Sequence, residues 1–147
     1  MLARSASPQL IQEYVNTGKV RYVFKHYPFL GEESYYAAEA TECASDQGKF
    51  WEYHDLLFSL WQGEGVGTFL PDKLKTYAGQ LALDTQTFAT CLDTRRDQFT
   101  VLADKRDGAQ AGVKYTPTLF LNGQVISPVG DYEQLKTKIE EALNEAG

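Results

Sequence analysis

The chain has 147 residues, 43% apolar and 23% charged, which fits one domain burying roughly two thirds of its unfolded surface and excludes a disordered or fibrous chain. Its 14 Lys and Arg stand against 20 Asp and Glu, a net charge of −6 with no basic run, which argues against a nucleic-acid partner held through phosphates. No apolar stretch approaches the roughly 20 residues of a membrane span, and residues 1–15 lack the apolar segment of a signal peptide.

Residues 8–17 predict a short helix, with Ser7 as its cap, Pro8 in the first turn and Leu10, Ile11, Tyr14 and Val15 on one side. Gly18 stands at the C′ position that ends it. Residues 20–27 alternate as a strand does, Val20, Tyr22 and Phe24 against Arg21, Val23 and Lys25, and Pro28 stops them.

A helical block follows. Residues 34–47 are rich in Ala and Glu and close at Gly48. Residues 49–61 carry Phe50, His54, Leu57, Phe58 and Trp61 at helical spacing, and residues 62–68 hold three glycines and predict a loop. Residues 71–81 predict a helix entered at Pro71. Asp84 is a fit N-cap for a helix over 85–92, and a longer helix spans 95–111 before Gly112.

The last part changes character. Residues 118–121 predict an apolar strand, Asn122-Gly123 is the strongest hairpin dipeptide, and residues 124–127 return. Asp131 with Gln134 forms a capping-box pattern before a final helix faced by Tyr132, Leu135, Ile139, Ala142 and Leu143. Sheet elements on both sides of a helical block predict an α/β or α+β domain.

Several residues carry a candidate chemistry. Two His and two Cys at these spacings do not make a zinc cluster, so no metal and no cofactor is predicted. His54 shares an apolar helix face and is read as a satisfied core histidine. Tyr35, Tyr36, Trp51, Tyr53 and Trp61 could line a peptide groove, but helical spacing makes most of them core. Glu32-Glu33 and Glu140-Glu141 read as solvated faces.

The segment Tyr115-Thr116-Pro117-Thr118-Leu119-Phe120-Leu121-Asn122-Gly123 places a proline, which cannot donate to a ladder, at a strand start, and Thr116–Pro117 is a candidate cis bond. Here the sequence resembles the DsbA-like branch of the thioredoxin superfamily. The similarity extends through Pro8-Gln9-Leu10-Ile11, Gly18-Lys19-Val20, Tyr27-Pro28-Phe29, Ala37-Ala38-Glu39-Ala40, Gly48 to His54, and Leu83-Asp84 to Asp93. It implies a single thioredoxin-fold domain over 1–147 with a helical insertion at about 31–111. Thr116 and Pro117 are then the loop that meets a protein or peptide thiol substrate.

The family's strand and CxxC would precede Met1-Leu2-Ala3-Arg4, so the first β-strand and the catalytic pair are expected to be missing here. Disulfide exchange needs a thiolate, which that family sets at a helix N-terminus where the dipole lowers its pKa. Cys43 lies late in a helix beside Glu39 and Glu42, and Cys91 sits near a helix end, neither of which favours a thiolate. A structural disulfide between Cys43 and Cys91 resembles the second bridge of some family members. Two free buried thiols or a redox-active pair remain the alternatives.

The resemblance implies a thiol–disulfide oxidoreductase that exchanges disulfides with extracytoplasmic proteins, in a form inert by itself. The competing reading is a non-catalytic peptide-binding or assembly protein on the same fold. Backbone groups left unpaired by an absent central strand predict a homodimer. The compartment stays open, because a disulfide favours an oxidising one while no export signal is present.

Overall fold

The computed structural model describes residues 7–126 and 131–147, with seven α-helices and two short strands among them. The chain forms two compact units, one from the described parts of residues 1–24 and 112–147, the other from residues 25–111.

In the first unit, α1 (Ser7–Leu10) runs straight into a π-helical turn, Ile11–Val15. Gly18, at φ +76°, lets the chain reverse, and the N–H groups of Lys19 and Val20 donate to the Tyr14 carbonyl at 2.9 and 3.1 Å. A side chain with Cβ would be strained in that left-handed conformation. The hairpin pairs β1 (Phe120–Leu121) with β2 (Gln124–Val125) in antiparallel register, Phe120 opposite Val125 and Leu121 opposite Gln124. Its turn residues Asn122 and Gly123 both have positive φ, 48° and 81°, as a two-residue turn of this hand requires. The predicted return strand reaches Val125; Ser127 lies outside the described residues.

Helix α7 (Tyr132–Ala146) starts at Asp131, whose carboxylate accepts from the Gln134 N–H at 3.0 Å. Leu10, Tyr14, Tyr132, Leu135 and Ile139 form the unit's core, with Val20, Tyr22, Leu119, Leu121 and Ile126 packed on it.

Residues 20–27 alternate in burial as their sequence does, but no strand is assigned to them. Alternation marks which side chains turn inward; a strand also needs a ladder partner, and only β1 and β2 form one among the described residues.

The second unit is helical: α2 (Glu32–Ser45), α3 (Phe50–Leu60), α4 (Pro71–Gln80), α5 (Thr85–Asp93) and α6 (Gln98–Gln110). Asp84 caps α5 by accepting from the Thr87 N–H at 2.8 Å, which holds its carboxyl below the usual range. Tyr53, Leu57, Leu74, Ala78, Phe88 and Leu92 make a core around Ala40, Cys43, Ala44 and Cys91. Helix α2 starts two residues before the predicted boundary, with both acidic residues in its first turn, where the helix dipole favours them. Glu33 is not a solvated residue as expected: its carboxylate accepts the N–H groups of Gly67 and Phe69 at 2.9 Å each, pinning the glycine-rich loop. No described helix is long and apolar enough to cross a membrane.

Candidate functional site

In the first unit, the run from Tyr115 into β1 is the exposed segment with candidate chemistry. The Thr116–Pro117 peptide is cis. Thr116 and Pro117 are exposed, and the Thr118 hydroxyl donates to the Tyr115 carbonyl. Beyond the strands, the Ile126 N–H donates to the Leu119 carbonyl at 2.9 Å, so the hairpin extends almost back to the proline. Leu119, Leu121 and Ile126 turn inward onto the core. Their neighbours Tyr115, Phe120 and Val125 are left in solvent. Phe120 and Val125 face each other across the ladder, so Pro117 is followed by an outward apolar pair on a strand whose other side anchors the core.

The core beneath this surface carries its own polar ties. The Tyr14 hydroxyl donates to Glu140 Oε1 at 2.5 Å, and burial together with that carboxylate pushes its ionisation well above the usual tyrosine range. Lys136 Nζ sits 2.9 Å from Glu13 Oε2, which raises the lysine and lowers the glutamate. Glu140 is exposed, as expected of a solvated residue, and its carboxylate also ties α7 to the π-helical turn by accepting from Tyr14.

In the second unit Cys43 of α2 and Cys91 of α5 are joined, with Cα atoms 5.9 Å apart and both residues 2% exposed. Asp97, just before α6, brings Oδ2 to 3.1 Å from Cys91 Sγ and 3.8 Å from Cys43 Sγ. Burial pushes its carboxyl above the usual range. Close by, Arg95 places Nε and Nη2 at 3.0 and 2.6 Å from the two oxygens of Glu39.

Of the sequence candidates, Thr116 and Pro117 belong to one unit and Cys43 and Cys91 to the other. His54 is buried among Phe50, Trp51 and Phe58, with Nδ1 donating to Asp55 at 2.9 Å. Of the aromatic set, Tyr53 is core and donates to the Leu74 carbonyl at 2.8 Å, while Trp51 and Trp61 are exposed. Tyr35 and Tyr36 line a recess of about 260 Å³ with Glu32, Arg95, Gln98 and Leu102. Asp97 was invisible to sequence reasoning, because nothing in its local spacing points to a cysteine in another helix.

Residues 2–141 match the family profile described as Thioredoxin. The chain is 27% identical over 148 residues to disulfide bond formation protein D of Bacillus subtilis, covering 92% of this chain and 63% of that one. It is 39% identical over 124 residues to Na(+)/H(+) antiporter NhaA 1 of Salinispora arenicola, covering 83% of this chain but 18% of the antiporter. The crystal structure of oxidised BdbD from Bacillus subtilis superposes with a TM-score of 0.88 at 25% identity, over 97% of this chain and 79% of that one. The chain thus spans less than two thirds of the length of these curated relatives.

Proposed function

The chain belongs to the thioredoxin family and has its DsbA-like fold, and from that premise we propose that it is the substrate-contacting part of a thiol–disulfide oxidoreductase, unable to catalyse exchange by itself. The observation that carries this reading is the exposed Thr116–Pro117 segment running into a hairpin whose outward residues, Phe120 and Val125, are apolar. An extended peptide laid there meets apolar side chains and strand backbone together, the combination that strand addition uses for affinity.

Chemistry at that surface would need a thiolate set against the peptide's sulfur. The 147 residues contain no CxxC, and their two cysteines are spent on a buried bond in the other unit. Thr116 and Pro117 can therefore hold a protein thiol or disulfide without exchanging electrons with it. The test is insulin reduction in dithiothreitol. The expected rate equals that of the reductant alone; acceleration that disappears with Cys43→Ser overturns the proposal.

A second reading is a non-catalytic peptide-binding or dimeric assembly module on the same fold, which needs only the exposed Thr116–Pro117 hairpin and no thiolate. Saturable binding of cysteine-free peptides as tight as that of cysteine-containing ones supports it over the first reading, and a monodisperse monomer in light scattering removes its dimeric form.

A further inference from the structure

We propose that Cys43, Cys91 and Asp97, once the disulfide is reduced, form a binding site for a thiophilic divalent cation of the zinc class, so that the bond gates metal uptake. The three residues come from α2, α5 and the start of α6, and no sequence motif joins them. Both sulfurs are buried, and the Asp97 side chain is 18% exposed.

The oxidised state gives that carboxylate little to do. Joined sulfurs carry no hydrogen to donate, yet Oδ2 lies 3.1 and 3.8 Å from them. Asp97 caps no N–H of α6, and the guanidinium nitrogen Nε of Arg96 is 3.8 Å away. A desolvated carboxylate aimed at two sulfurs asks for an explanation.

Tetrahedral zinc supplies one. With Zn–S of about 2.3 Å and Zn–O of about 2.0–2.2 Å, the sulfurs stand about 3.8 Å apart and the oxygen about 3.5 Å from each. The observed oxygen–sulfur distances bracket that value. Once their bond is cut, the sulfurs separate to non-bonded contact, which is close to the required spacing. Two thiolates and a carboxylate leave one negative charge around a divalent ion, offset in part by the adjacent Arg96, whose Nη2 also pairs with Asp46. The fourth position is left for water.

The chemistry balances with a phosphine as reductant. It takes up an oxygen from water to become the phosphine oxide, and its two electrons and the water's two protons convert the disulfide to two thiols. Binding of the cation then displaces both thiol protons to solvent.

The experiment titrates cobalt(II), a spectroscopic stand-in for zinc, into the phosphine-reduced 147-residue chain under argon, with circular dichroism in parallel. The expected result is one equivalent of cobalt with thiolate-to-metal charge-transfer absorption, displaced by zinc and absent from the oxidised chain. Cys91→Ser loses that absorption, and Asp97→Asn keeps it while binding at least about tenfold more weakly. No saturable uptake by the reduced chain, or equal affinity in Asp97→Asn, overturns the proposal. If reduction unfolds the helices, zinc must restore them with the same Asp97 dependence; failure to do so overturns it equally.

Discussion

Arg95 holds Glu39 in a two-pronged grip, with Nε 3.0 Å from one carboxylate oxygen and Nη2 2.6 Å from the other, on a glutamate that is 1% exposed. The pair ties the middle of α2 to the turn between α5 and α6, and Arg95 covers the Tyr36 ring at 5.5 Å. Its two ends differ in solvation, because the Arg95 side chain is 40% exposed.

Removing Arg95 strands a buried carboxylate, whereas removing the charge of Glu39 leaves a cation that water can reach. Arg95→Ala should therefore cost about 3 kcal/mol and Glu39→Gln only about 1 kcal/mol. Arg95 also sits at φ +51°, so Arg95→Gly should be about 1 kcal/mol less damaging than Arg95→Ala. Urea unfolding of the three variants checks the order.

The Cys43–Cys91 bond closes a sequence separation of 48. In the chain-entropy account such a loop contributes about 4 kcal/mol. The double variant Cys43→Ala/Cys91→Ala should lose stability of that order by equilibrium denaturation, and an excess of dithiothreitol should no longer shift its midpoint.

Tyr14 and Tyr53 ionise well above the usual tyrosine range, chiefly because burial disfavours the phenolate, with Glu140 adding to the effect at Tyr14. The unfolded chain releases these protons first. The stability they contribute is intact below about pH 10 and falls as pH rises past it. Of the nine tyrosines, these two should show no phenolate absorbance until alkaline unfolding. Tyr53→Phe, which removes the donor to the Leu74 carbonyl, should cost about 1 kcal/mol at neutral pH.

Phe120 is 42% exposed and opposes Val125 on the outer side of the hairpin. Phe120→Ser should change stability by less than about 0.5 kcal/mol. It should nevertheless weaken binding of an extended, cysteine-containing peptide. Chemical-shift titration of the wild type should move Thr116 to Phe120, and the same titration of the variant should need more peptide.

What the sequence determined by itself was local. Asp84 and Asp131 capped the helices assigned to them, Gly18 and Asn122-Gly123 turned the chain, and the apolar stripes marked the buried sides except at Trp61, which lies past the end of α3 and is exposed. Helix bonds close within a few residues, so the residues that specify them are neighbours in sequence. The motif around Pro117 was legible for the same reason.

The tertiary structure decided whatever depended on distant partners. Residues 20–27 carried a strand's alternation, but a ladder needs a second segment that alternation does not supply. Glu33 looked like a solvent charge until packing brought two backbone N–H groups to it, and Glu140, though exposed, gained the Tyr14 hydroxyl from a distant segment. Asp97 gained its place beside Cys43 and Cys91 only because three helices converge there. Long-range contacts are set by how faces pack, and a single residue's spacing along the chain holds no record of them.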